Sequence, residues 1–301
     1  MRFINKFFTL FLTILLLIHS CAIGILNDDI LCSAYEKGWA LLQSAAEGRD
    51  VSRLYVEEKK YLNEFPFHAY TSYAVAEQGE FYLENDRGDC IKDFLRKGIP
   101  WEKELIPVIR QYISPDSIAI DIGGHIGTHS MTMSRCVGKG GRVVVFEPNK
   151  KIFRELCMNL SLNGCDNVIP VRCALGKEAA VMNMIQPLGD NEGATFVTSC
   201  LNGEKVLVLP LDSFHLKGVS FIKIDAENME GEILDGAIET IQSNHPAVLI
   251  EIQGNSLRSN LLGENSYKKG QEIMNKLISL GYEMHYLGFV DYLGLFIDHF
   301  Q

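Results

Sequence analysis

The sequence is short of positive charge: 28 Lys and Arg stand against 38 Asp and Glu, a formal net charge of −10 over 301 residues. A chain this acidic exerts no long-range pull on a phosphate backbone, which excludes a broad nucleic-acid-binding face. No two cysteines have Cys-x-x-Cys spacing and no His, Asp or Glu cluster has metal-ligand spacing, so neither a zinc site nor a resident metal is expected. Proline and glycine, at 9 and 26, are not in excess, which excludes a disordered or collagen-like chain. The GxGxxG fingerprint of dinucleotide-binding folds is also missing.

What is present is a globular balance, 47% hydrophobic and 22% charged, in a length that allows one large domain or two small ones. Hydrophobicity is concentrated at the N-terminus. Arg2 and Lys6 precede an uncharged run from Phe7 to Ile18, FFTLFLTILLLI, and the small residues Ser20 and Ala22 fit cleavage after Ala22. This reads as a signal peptide, with a lipid-modified Cys21 as a variant. The alternatives are an uncleaved anchor, since Phe7 to Leu26 is about 20 residues of low polarity, or a buried helix. The protein is therefore expected to be exported or membrane-anchored, associating with the membrane through this segment. Removing residues 1–24 takes two positive charges and leaves 26 against 38, a charge of −12. The eight cysteines form no disulfide framework; Cys136, Cys157 and Cys173 fall in apolar periodic segments and read as small buried hydrophobes.

From Asn27 to about Pro115 the chain is mixed, with helices expected around Leu31 to Ala46 and Trp101 to Tyr112 and a charged stretch VEEKKYLNEF between them. Beyond Ser117, β-branched runs alternate with helical periodicity, the pattern of βαβ units on a parallel sheet. Strands are expected at Ser117 to Ile122, Arg142 to Glu147, Val168 to Ala174, Val219 to Asp225 and Ala247 to Ile252. Apolar spacing of three and four marks helices through Ile126 to Val137, Ile152 to Leu160 and Met229 to Ile241, with Asn149 and Asn228 as N-caps of the last two. Ala180 to Leu209 reads as a small β excursion. After a helix from Tyr267 to Leu280, Tyr282 to Leu287 and Tyr292 to Ile297 flank the short turn GFVD as an antiparallel hairpin.

Ligands of open α/β sheets bind at the carboxyl ends of the strands. The first strand ends in AIDIGGHIGTHS, where Gly123, Gly124 and Gly127 let the backbone turn sharply and approach a ligand. Asp121 stands just before this loop, and a carboxylate there repels a pyrophosphate but attracts a ligand bearing ammonium or sulfonium charge. The second strand ends in VVVFEPN, placing Glu147 26 residues after Asp121, where an acid accepts from ribose hydroxyls. Taken alone, Glu147 reads equally well as a solvated loop acid; the ordered combination of strand, Asp, GGxxG, helix, strand and Glu is far more specific.

In these residues the chain resembles the S-adenosylmethionine-dependent methyltransferases, and more narrowly the FkbM family. The matching segments are DIGGHIGTHS at Asp121, VVFEPN at Val144, ALG at Ala174, LPLDSF at Leu209, FIKIDAENMEGEIL at Phe221, GA at Gly236 and LIEIQ at Leu249, spanning about Trp101 to Leu295. The resemblance implies a Rossmann-like class I fold, α/β, with a mainly parallel seven-stranded sheet closed by an antiparallel terminal hairpin. Together with the reading of the N-terminal residues, this divides the chain into a signal or anchor at 1–24, a helical N-terminal region at 25–100 and a methyltransferase domain at 101–301. It implies S-adenosyl-L-methionine as cofactor, with Asp121 and the loop of Gly123, Gly124 and Gly127 at the methionine moiety, Glu147 at the ribose, and Ala174 and Leu175 at the adenine. One position departs from the pattern: Asn228 stands where the family usually has Gly.

Asp225, at the end of the fourth strand, is placed to take a hydroxyl proton or to hold the cofactor's ammonium; its structural alternative is a helix-initiating acid. His125, and less so His129, is a candidate general base whose alternative is a hydrogen-bonded fixture of the loop. Glu227 and Glu251 are weaker candidates, since acids at such positions are common. The expected activity is O-methylation of a small molecule or glycan hydroxyl. The competing expectation is a cofactor-binding protein without turnover, because an exported domain would meet little of a cofactor made in the cytosol. A nicotinamide oxidoreductase is opposed by the missing GxGxxG and by Asp121.

Overall fold

The computed structural model describes residues 72–84, 89–185, 195–199, 203–252 and 265–297. The hydrophobic segment at 7–18, the helix expected at 31–46, the stretch VEEKKYLNEF, and Cys21, Cys32 and Cys200 lie outside the described residues. Among the described residues no helix is long and apolar enough to cross a membrane. Cys90, Cys136, Cys157, Cys165 and Cys173 are free thiols.

The described part of the 25–100 region is not all helical. It opens with a hairpin, β1 (Ser72–Ala76) and β2 (Gly79–Leu83), before α1 (Cys90–Arg96) and then α2 (Leu105–Tyr112). The βαβ pattern follows as β3 (Ile118–Ile122), α3 (Thr128–Val137), β4 (Arg142–Phe146), α4 (Lys150–Leu162) and β5 (Val168–Val171). Asn149 caps α4 as expected, accepting from the Lys151 and Ile152 N–H groups. The excursion is real: β6 (Ala174–Leu175), β7 (Ala180–Ile185), β8 (Phe196–Thr198) and β9 (Glu204–Leu209) form a separate sheet in the order β6-β9-β7-β8. Val168 to Ala174 is therefore not one strand, because Ala174 and Leu175 leave β5 to pair with Val208 and Leu209.

The chain returns through β10 (Val219–Ile224), α5 (Glu230–Asp235), α6 (Ile238–Asn244), β11 (Ala247–Glu251), α7 (Ser266–Ser279), β12 (Tyr282–Gly288) and β13 (Asp291–Phe296). The helix expected from Met229 to Ile241 is broken at Gly236. A Cβ there would lie 2.0 Å from the Gly176 carbonyl oxygen, so only glycine permits the approach. Asp212 of LPLDSF restarts the helix, its carboxylate accepting from the Glu239 and Thr240 N–H groups at 3.0 and 2.8 Å.

The main sheet has seven strands in the order β12-β13-β11-β10-β3-β4-β5; β13 alone runs antiparallel to the rest, and it pairs with β12 as the expected hairpin edge. It is Rossmann-like: β3, β4 and β5 run outward one way and β10 and β11 the other, so the strand order switches between β3 and β10. Alternation along each strand divides the core. Ile120, Ile122, Val144, Phe146, Ile222 and Ile224 pack with the small sheet and Ile233, Ile241 and Leu277 of α5, α6 and α7. Ala119, Val143, Val145, Phe221 and Leu249 pack on the other face with α2, α3, α4 and the β1–β2 hairpin. The hairpin and α1 thus share a core with the parallel sheet. Lys92 and Glu155 join α1 to α4 in a fully buried ion pair at 2.6 Å.

Candidate active site

At the switch point, a cleft of about 750 Å³ opens at the carboxyl ends of β3, β4 and β10. Its walls include Ile122, Phe146, Ile152, Met184, Phe196 and Met229, with Gly123, His125, Glu147, Ala174, Leu175 and Asp225 among its other lining residues. Six of the nine sequence-derived site residues therefore meet at one cleft. The remaining three, Asp121, Gly124 and Gly127, lie behind its wall.

The positions of Asp121 and Gly127 have local reasons. Asp121 belongs to the face of β3 that packs under α3, where its Oδ2 accepts from the Ser130 hydroxyl at 2.5 Å. Its Oδ1 is buried without a hydrogen-bond partner among the described residues. Gly127, with φ +95, is the left-handed N-cap of α3. Gly123 is the tightest point: its φ is +79, and a Cβ would lie 1.8 Å from the Asp225 carbonyl oxygen. The loop after β3 and the segment after β10 therefore touch backbone to backbone, helped by an Asp225 N–H bond to the Ile122 carbonyl at 3.0 Å.

Glu147 is held from two sides. The His125 N–H donates to Oε2 at 3.1 Å and the Asn149 N–H to Oε1 at 2.8 Å. Burial pushes its carboxyl up to about 7, against the pull of those two backbone bonds and with further upward push from Asp121 and Asp225. The carboxylate is thus fixed in place with lone pairs to spare, facing the cleft.

Asp225 is tied to a residue that the sequence reading passed over. Lys223, 4% exposed, places its ammonium 2.8 Å from Asp225 Oδ2. Partial burial works against the charge on Asp225, but Lys223 and a hydrogen bond from the Glu251 carboxyl outweigh it and hold Asp225 below the usual carboxylate range. Lys223 stays charged despite its own burial, raised by Asp225, Asp121 and Glu102. A lysine inside the apolar run FIKI was the legible signal, since a central strand buries a charge only when it is paired.

Three carboxylates line up across the strand ends. Ile224 pairs with Ile250, and Glu251 pairs with Asp291, so Asp225, Glu251 and Asp291 stand side by side on β10, β11 and β13. Burial, and the negative charge of Glu102, raise Asp291 to about 6. On the helix side, His129 is a fixture of this row, its Nε2 bonded to Glu102 Oε2 at 2.7 Å. Nothing in the local sequence linked Glu102 or Asp291 to the strand ends; register places Asp291 there, and the bond to His129 places Glu102.

Asn228 is not the expected helix cap. Its φ is +70 and that of Glu227 is +48, and the cap position of α5 falls to Met229. A left-handed turn is one that glycine takes freely and Asn tolerates better than most residues, so Asn228 can stand where the resemblance leads one to expect Gly. The Asn228 and Ala226 N–H groups both donate to Glu230 Oε1, closing the turn. Among the described residues no group of His, Cys, Asp and Glu is arranged to hold a metal ion.

With this geometry in hand, comparison is informative. The family model described as the Methyltransferase FkbM domain matches residues 121–284, more than half of the chain. The chain belongs to the FkbM methyltransferase family. The matched span begins at Asp121 and takes in the glycine loop, Glu147, Lys223, Asp225 and Glu251. An FkbM methyltransferase from Methylobacillus flagellatus KT is a structural match at 19% identity and a TM-score of 0.43, covering 61% of this chain and 44% of that one. The chain thus spans less than half the length of that FkbM protein. An O-methyltransferase from Bacillus cereus in complex with SAH matches at 14% identity and 0.41, covering 64% and 79%. A SAM-dependent O-methyltransferase from Thermotoga maritima matches at 12% and 0.40, covering 70% and 71%. No curated protein sequence matches the chain.

Proposed function

We propose that this FkbM methyltransferase transfers a methyl group from S-adenosyl-L-methionine to a hydroxyl of a small molecule or glycan. The observation that carries the reading is Glu147: a buried carboxylate pinned by two backbone N–H groups and turned to a cleft at the switch point. The residues present fit the cofactor on one further count: the orphaned buried Oδ1 of Asp121 lies beside the glycine loop.

When bound, S-adenosylmethionine supplies an electrophilic methyl on a positively charged sulfur. Glu147 would hold the ribose hydroxyls through the lone pairs that its backbone donors leave free. Ala174 and Leu175, with Ile152 and Phe196, give an apolar slot for the adenine. Asp121 and Asp225 supply negative potential on either side of Gly123, which favours a cationic ligand over a pyrophosphate.

Lys223 changes the weight of the catalytic candidates. A carboxylate stabilised by an ammonium at 2.8 Å is a poor proton acceptor, so Asp225 holds and orients charge rather than serving as base. His125 lines the cleft, with Nε2 3.7 Å from Asp89 Oδ2. Alignment of donor and acceptor contributes several kcal/mol whichever group takes the proton.

The test is methyl transfer from radiolabelled S-adenosylmethionine to a panel of hydroxyl-bearing small molecules and oligosaccharides, with amine-only analogues beside them. Label is expected in hydroxyl compounds and lost in Asp225→Asn. Label only in amines would refute the acceptor class.

A further inference from the structure

The cleft has a wall that lies outside the family-matched residues. Ile91, on α1, is partly exposed and lines the cleft together with Ala174, Leu175 and Phe196 of the small sheet. Two residues earlier, Asp89 is fully buried, and its two oxygens differ. Oδ1 accepts from the Lys92 N–H at 2.9 Å as a helix cap; Oδ2 has no hydrogen-bond partner among the described residues and lies 3.7 Å from His125 Nε2. A buried carboxylate oxygen left in this state costs free energy and calls for a function.

His125 is where that oxygen acts. It sits in the glycine loop at φ +47, an uncommon conformation for a side-chain-bearing residue, and its own N–H is one of the two that fix Glu147. Asp89 therefore reaches Glu147 through one intermediary: the carboxylate faces the imidazole, and the backbone of that same histidine holds the acid of the cleft. α1 is in turn anchored to α4 by the buried Lys92–Glu155 pair, so this arrangement is part of the rigid core.

We propose that α1 completes the donor pocket: Ile91 is a cofactor-contacting residue closing its apolar wall, and Asp89 is a positioning residue that sets His125 and, through it, Glu147. The inference rests on the reading that the cleft takes S-adenosylmethionine. It assigns part of the binding energy to a segment before the matched domain, and it gives the lead-in a reason to dock where it does.

The experiment is isothermal titration of the full chain, in detergent, with S-adenosylhomocysteine, alongside thermal melts. Ile91→Ala should weaken binding about fivefold through lost apolar contact, with Ile91→Leu restoring it to within about twofold. Asp89→Asn separates two roles, because Asn caps a helix as well as Asp does. It should bind about fivefold more weakly at an unchanged melting temperature, whereas Asp89→Ala also melts lower. If wild type binds and both Ile91→Ala and Asp89→Asn match it, α1 only packs and the inference fails while the proposed function stands. If wild type binds neither S-adenosylmethionine nor S-adenosylhomocysteine, both fall together.

Discussion

At the scale of single residues, the site sets stability against function. Glu147 is buried among other acids, and its carboxyl is raised from about 4.5 to about 7, so it takes up a proton on folding. Its stabilising contribution is complete below its unfolded value and is lost as pH rises through about 7. At pH 8 the charged side chain costs up to about 3 kcal/mol, and Glu147→Gln should therefore raise the melting temperature of the ligand-free protein at that pH. An unchanged or lower melting temperature would show that the carboxylate is better solvated than its surroundings indicate. Asp121, Glu147 and Asp225 were legible in the sequence because each closes a strand beside a glycine or helix start, a position where acids meet ligands. Lys223, Glu102 and Asp291 were not singled out. Asp291 acts through pairing across strands, and the order of residues along one strand says nothing about which residue of the next strand lies beside it. Glu102 lies in a turn and reaches the site only through the packing of the fold.

At the scale of elements, local signals served where a helix or strand completes its hydrogen bonds within itself. The Asn149 cap, the terminal hairpin and the β excursion all follow from local sequence. The exceptions share a cause. Gly236 breaks a helix because another glycine backbone presses on it, and Ala174 leaves its strand because β9 offers a partner. The hairpin of β1 and β2 was missed for the same reason, as its backbone is completed from α4: Asn159 and Asn163 accept from the Tyr82 and Glu80 N–H groups at 2.8 and 2.9 Å. The Lys92–Glu155 pair tests how firmly this lead-in is attached. Lys92→Met leaves Glu155 buried and unpaired, at a cost of about 3–5 kcal/mol. Lys92→Met with Glu155→Leu should recover most of it, as judged by urea unfolding. A double variant no more stable than the single one would mean that the pair is not isolated from water.

At the scale of the whole molecule, acidity is concentrated where it has work to do. Glu147, Glu155 and Glu230 each sit at about 7 because burial disfavours their charge. All three bind protons more tightly folded than unfolded, so ligand-free stability should fall as pH rises from about 4.5 to about 7. Urea midpoints that held level or rose across that window would contradict this; the downward-shifted Asp225 acts below it, between about 2 and 3.8. Of the three glutamates only Glu147 lines the cleft, where it and Asp225 are among the acids that a sulfonium cofactor meets. The account stands most directly on titration of the wild-type chain and Glu147→Gln with S-adenosylhomocysteine at pH 8. It predicts saturable binding of one molecule per chain, weakened about 30-fold by loss of the charged acceptor at the ribose. Absence of binding to wild type, or equal affinity in Glu147→Gln, would contradict it.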